Sequence, residues 1–267
     1  MHFITRGQGD LPIVFVHGFA CDSNDWRPVI ERLQEQNALV ACDLPGHGAS
    51  PGAVADCSIE AYGAAVCQLL ANLDLPPAVL VGHSMGCRVV LESYSIAPDR
   101  VAGIVLLDGS FIGAGDRGTA ELGMARQLAD EGYEEFVRGF FAAMFVESTD
   151  PEFRTSTIER ALLLPADTGA SLFVDLAGWD ASRMRDALAA VDCPLLVIQC
   201  TSLTPERLRV SLTAGQSSPW LELVREQAPT ARFETLLDNG HFPHVEAPDE
   251  VSTLIADFVA GLTHSEA

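Results

Sequence analysis

The sequence has no C-x-x-C pair, no H-E-x-x-H run and no comparable spacing of histidines with acidic residues. Those gaps remove the usual signatures of zinc sites and dithiol redox centres, and no metal is expected. No apolar stretch approaches the ~18 residues that a bilayer-spanning helix needs, so no membrane span is expected either. Basic residues are scarce: 16 Lys and Arg stand against 37 Asp and Glu, a net charge of -21. Such a chain repels nucleic acid and anionic lipid surfaces, which argues against both as partners and against a polyanionic substrate. The opening residues Met1-His2-Phe3-Ile4-Thr5-Arg6 lack the charged, apolar and small-residue succession of an export signal, and the default expectation is cytoplasmic.

What is present is ordinary globular composition, 48% hydrophobic over 267 residues, enough for one large α/β domain or a core with an inserted subdomain. The seven cysteines are odd in number, scattered and set among apolar neighbours, which favours reduced, buried thiols. Continuous apolar runs at Leu11 to Val16, Ala38 to Cys42, Val79 to Gly82, Val101 to Leu107 and Pro194 to Cys200 read as strands buried on both faces. Between them, Ser58 to Leu73 carries Ile59, Tyr62, Val66, Leu69, Leu70 and Leu73 at helical spacing. Strands alternating with helices predict an α/β fold with a mostly parallel sheet flanked by helices. From Phe111 to Val191 the rhythm breaks into helical patterns alone. Residues 111–191 are therefore expected to form an inserted helical lid or cap, and 1–110 with 192–267 the core domain.

The central strand runs into Gly82-His83-Ser84-Met85-Gly86, the G-x-S-x-G pattern of a nucleophile elbow. A serine on so sharp a strand-to-helix turn needs neighbours without Cβ atoms. A serine hydroxyl is a weak nucleophile at neutral pH and needs a base within reach.

With His17-Gly18-Phe19, Asp43-Leu44-Pro45-Gly46-His47-Gly48 and the late Asn239-Gly240-His241-Phe242-Pro243-His244, in that order, the chain resembles the α/β-hydrolases over essentially its whole length. The resemblance implies a serine esterase or lipase-like member: Ser84 attacks an acyl carbon, His241 takes its proton, and an acid orients the histidine. It also implies an oxyanion hole from the backbone N–H groups of Phe19 and Met85. His17 then braces the loop and carries no proton, and His47 belongs to a structural turn.

The acid departs from the commonest family pattern. No aspartate follows the strand ending at Cys200, where Thr201-Ser202-Leu203-Thr204-Pro205-Glu206 stands instead. Some relatives place the acid after the preceding strand, and here that position is Asp108. Asp108 is the favoured acid and Glu206 the alternative; the bland account of Asp108 is a turn cap before Gly109.

The implied function is hydrolysis of a carboxylic ester, or of a lactone or thioester, of a small, partly apolar molecule, without a cofactor. Trp26, Phe111, Phe140, Phe141, Met144 and Trp179 are candidate pocket walls, each of which could equally be core. Serine at the elbow argues against the dehalogenase-like and epoxide-hydrolase members, which use an aspartate there. Two rivals remain. Cofactor-independent dioxygenases of heteroaromatic rings also place the acid after this strand, although Met85 stands where they carry a second histidine. The other is a non-catalytic ligand-binding protein on the same scaffold.

Overall fold

A computed structural model describes residues 1–204 and 209–264. The elements in chain order are β1 Phe3–Arg6, β2 Ile13–Val16, α1 Arg27–Leu33, β3 Leu39–Cys42, α2 Ile59–Asn72, β4 Ala78–His83, α3 Met85–Ile96 and β5 Val101–Leu107. Five helices follow without a strand between them: α4 Arg117–Glu131, α5 Tyr133–Ala142, α6 Pro151–Ala161, α7 Ala166–Ser182 and α8 Met184–Ala189. The chain ends with β6 Leu195–Gln199, β7 Thr201–Leu203, β8 Arg209–Ser211, α9 Pro219–Gln227, β9 Arg232–Thr235, α10 Pro243–Glu246 and α11 Pro248–His264.

Seven strands form one sheet in the order β1-β3-β2-β4-β5-β6-β9. All neighbours pair in parallel except β1, which lies antiparallel to β3 at the edge. The apolar runs are continuous because both faces are covered. In β2, Val14 and Val16 enter one core with residues of α2, α3 and the insert, while Ile13 and Phe15 enter the other with residues of α1 and α11. Ser58 caps α2 by accepting from the Ala61 amide, which is why that helix starts where its apolar spacing does. Among the described residues no single helix is long and apolar enough to cross a membrane.

Several elements went unread in the sequence. Edge strand β1, helix α9 and the antiparallel β7–β8 pair are too short to show an apolar period.

The helical insert is tied to the core by a buried ion pair. Arg88 on α3 forks onto Asp180 of α7, with Nε to Oδ1 and Nη2 to Oδ2 both at 2.7 Å. Both side chains are sealed from solvent, and the bond network continues from Arg88 Nη2 to the Ser110 carbonyl and from the Ile112 amide to Asp180 Oδ2. A planar fork matched to a carboxylate, with the remaining lone pair also satisfied, is the geometry in which a buried pair tolerates its desolvation.

The elbow explains its glycines. A Cβ at Gly82 would stand 2.3 Å from the Gly86 carbonyl oxygen, and one at Gly86 would stand 2.4 Å from that of Val16. Both obstacles are backbone and cannot swing aside. Gly86→Ala should therefore lower the stability to denaturant by about 1–3 kcal/mol, the cost of forcing an extra methyl into filled space. An unchanged urea midpoint would contradict this packing.

Candidate active site

Ser84 stands at the turn between β4 and α3 with φ 56° and ψ -112°, a conformation that L-residues rarely adopt. Strand and helix leave it half-buried, its hydroxyl facing the loop that follows β9. His241 on that loop comes within 2.8 Å of Ser84 Oγ through Nε2, and within 2.6 Å of Asp108 Oδ2 through Nδ1. An ionised carboxylate only accepts hydrogen bonds, so the imidazole proton sits on Nδ1 and the Nε2 lone pair faces the serine hydroxyl. Burial holds His241 down to about 4, helped by the Arg209 charge and opposed by Asp108, so the imidazole is neutral at physiological pH.

Asp108 ends β5 with φ 45°, which aspartate tolerates better than most residues. From there its carboxylate reaches across to the neighbouring strand end. Oδ1 accepts from the amides of Cys200 and Thr201, both at 2.8 Å, and Oδ2 accepts from Thr201 Oγ1 at 2.6 Å besides His241. Burial alone would raise this carboxyl, but His241, Arg209 and Thr201 outweigh it and leave Asp108 below the ordinary carboxylate value. The Asp108 carboxylate thus grows from the end of β5 yet is seated on Cys200 and on Thr201 at the start of β7. Glu206, the alternative acid, lies outside the described residues.

The His17-Gly18-Phe19 loop passes directly over the elbow. A Cβ at Gly18 would meet Ser84 Cβ at 3.2 Å and His83 Nδ1 at 3.1 Å. His17 Nε2 accepts from the Leu44 amide at 2.9 Å, which leaves Nδ1 to donate to the Gly18 carbonyl at 2.7 Å. With both nitrogens committed and burial lowering its affinity for a proton, this ring braces the loop. Met85 opens α3, and among the described residues no acceptor takes the Phe19 amide. Behind the site, His83 Nε2 donates to the His241 carbonyl at 2.7 Å, and the His241 amide donates to the Met144 carbonyl at 2.8 Å. The loop bearing the histidine is held from two sides.

The candidate walls divide. Phe140 lines a cavity of about 250 Å³ under α4, α5 and α7, with Ile112, Met124, Phe136, Phe173 and Leu203. Phe173 also packs against Phe19, the rings tilted by 38° with centroids 4.2 Å apart, which joins that cavity's wall to the loop over Ser84. Phe111 lines a second space of about 330 Å³ beside Gly109 and Trp220, sharing Ile112 and Leu203 with the first. Phe141 is buried beside Phe19, and Met144 contributes its carbonyl to the His241 loop. Trp26 and Trp179 are fully buried, and like Phe141 and Met144 they line neither cavity. Trp26 lies in the core on the α1 and α11 face, against Phe15 and His244, and Trp179 spends its indole N–H on Glu92. Large apolar residues near a motif are indistinguishable from core until the sheet face is known.

Two residues around the acid escaped the sequence reading. Thr201 figures in the sequence only as part of a stretch without an aspartate, and Arg209 belongs to no motif there. A Thr with an Arg eight residues on carries no recognisable spacing. Among the described residues, no group of three or more His, Cys, Asp or Glu side chains is placed to hold a metal ion.

Known proteins place this arrangement in context. The chain is 28% identical over 258 residues to the dihydrolipoyllysine-residue acetyltransferase component of the acetoin cleaving system of Pseudomonas putida. That match covers 96% of this chain but only 65% of the longer relative. It is also 28% identical over 273 residues to the pimeloyl-acyl-carrier-protein methyl ester esterase of Stenotrophomonas maltophilia, covering 100% of this chain and 99% of that one. Among solved structures, a malate-bound thermophilic esterase from Thermogutta terrifontis matches with a TM-score of 0.79 at 25% identity, over 98% of this chain and 93% of the other. The family profile described as "Alpha/beta hydrolase family" matches residues 13–254, a span that includes the elbow, the acid and the histidine loop, and the chain belongs to that family.

Proposed function

We propose that this protein is a serine hydrolase that cleaves a carboxylic ester, or a lactone or thioester, of a small, partly apolar substrate through an acyl-enzyme on Ser84. The observation that carries the reading is the unbroken relay from Ser84 Oγ through His241 to Asp108, with bonds of 2.8 and 2.6 Å. His241 Nε2 takes the serine proton as Oγ bonds to the acyl carbon, and the carbonyl oxygen gains negative charge facing the Phe19 and Met85 amides. The same imidazole then gives its proton to the departing alcohol or thiol as the bond to the acyl carbon breaks. Water repeats the sequence, transferring a proton to Nε2 while its oxygen displaces Ser84.

The helices between β5 and β6 serve in this reading as a lid, and the cavity under them receives the apolar part of the substrate. Its wall is mostly apolar and aromatic, with Gln127 and Glu131 as its polar members, which suits an acyl or alkyl group. The net charge of -21 favours a neutral or weakly charged substrate over a polyanion. Esterase names among the relatives agree with this reaction class.

Covalent labelling with a fluorophosphonate, followed by peptide mapping, tests the nucleophile. The expected adduct is on Ser84 and forms only in folded protein. Folded protein that stays unlabelled would overturn the mechanism.

A further inference from the structure

A three-residue relay does not require a buried guanidinium beside its acid, yet one is there. Arg209 on β8 has a side chain only 5% exposed. Its Nη1 donates to Thr201 Oγ1 at 2.8 Å and lies 3.4 Å from Asp108 Oδ2, while Nη2 stands 3.4 Å from Ser110 Oγ. Thr201 has one hydroxyl proton and gives it to Asp108 Oδ2 at 2.6 Å, so it must receive from Arg209. The bonds therefore run in one direction, from Arg209 to Thr201 to Asp108. His241 Nδ1 arrives at the same oxygen from the other side. A proton on that oxygen would leave one of these buried donors without an acceptor, which the interior penalises.

We propose that Arg209 is a positioning residue of the relay described above: acting through Thr201, it keeps the Asp108 carboxylate charged and turned to His241, and it sets a cation behind the imidazole. The proposal rests on Ser84, His241 and Asp108 working as argued under Proposed function.

The groups facing His241 come from several elements. Asp108 at the end of β5 favours the imidazolium, whereas Arg209 from β8 and Arg88 from α3 disfavour it. His83 of β4 packs against His241 and His244 of α10 packs against His83, both with tilted rings, but burial keeps both neutral, so neither adds charge. Arg209 itself faces Asp108, Arg88 and the thiols of Cys87 and Cys200, which burial also keeps uncharged. The sign follows directly. A neutral side chain at position 209 removes one of the two cations that oppose protonation, so His241 would become protonated at higher pH and the acidic limb of activity would move up.

The test compares wild type with Arg209→Met, Arg209→Gln and Arg209→Lys, measuring kcat/KM for a short-chain ester and the rate of fluorophosphonate labelling across pH. The wild-type limb is expected at about 4. Both neutral variants should move it upward by about one pH unit, within the range that a nearby charge produces. Arg209→Lys, which keeps the charge, should hold the wild-type limb with a lower kcat. Neutral variants that fold and keep the wild-type limb would overturn the proposal, because a merely structural arginine would cost activity without moving it. The two readings fail separately. Wild type without a Ser84 adduct sinks the nucleophile, whereas an adduct forming with one common pH limb in every variant sinks only the role of Arg209.

Discussion

Ser84→Ala should lower kcat for a short-chain p-nitrophenyl ester by about 10⁵- to 10⁶-fold while leaving the protein folded. The loss is that large because no other hydroxyl is in line: His241 Nε2 is committed to Ser84 Oγ, and the Phe19 loop is pressed against Ser84 Cβ. The stability change should stay within about 1 kcal/mol, since one hydrogen bond to a half-buried group is lost and the bond from His241 to Asp108 survives. Steady-state kinetics and a melting curve on the same preparation check both halves. Ester turnover undiminished in the folded variant would rule out the acyl-enzyme. Oxygen uptake on a heteroaromatic substrate, independent of Ser84, would instead favour the dioxygenase-like rival.

The second large effect belongs to the acid. Asp108→Asn should reduce kcat by about 10⁴-fold, as expected when a histidine is held in the wrong tautomer. The surroundings dictate which way the amide must turn. Oδ1 accepts from the Cys200 and Thr201 amides, which can only donate, so the asparagine oxygen must take that position. Its NH2 then occupies the place of Oδ2 and points at His241 Nδ1. Nδ1 becomes the acceptor, the ring proton moves to Nε2, and the serine loses its base. Removing the carboxylate also strips Arg209 and Thr201 of their shared acceptor, so a stability loss should accompany the kinetic one. Glu206→Gln should retain activity. The reverse pair of results would move the acid to Glu206.

Most of the scaffold was legible because buried parallel strands leave an unmistakable record: four or more apolar residues in a row with no alternation. β2, β3 and β6 lie inside runs picked out that way, shortened by a residue or two; β5 coincides with its run, and β4 extends one residue beyond its run at each end. Ser84 and His241 stand out as candidates in the sequence because Gly82 and Gly86 bracket the first two residues away on either side and Gly240 precedes the second. Asp108 was reachable only by noticing where an aspartate was missing. The rest was hidden for physical reasons. β7 and β8 are three residues each, too short for period two to register, and they matter because the first of them supplies the amides and hydroxyl that seat the acid. Arg209 reads as a surface charge in any hydropathy pattern, and only the pairing of β7 with β8 turns it inward. Ser218-Pro219 before Trp220 was a usable signal for α9, a capping serine followed by proline at the first helical position.

The Arg88–Asp180 pair also bears on time. Breaking that pair while the charges stay buried costs about 3–5 kcal/mol, so a small shift of α7 from α3 that admits no water is strongly disfavoured. If the function proposed above holds, substrate entry is expected to leave α7 in place and to use the parts of the insert beyond that rivet.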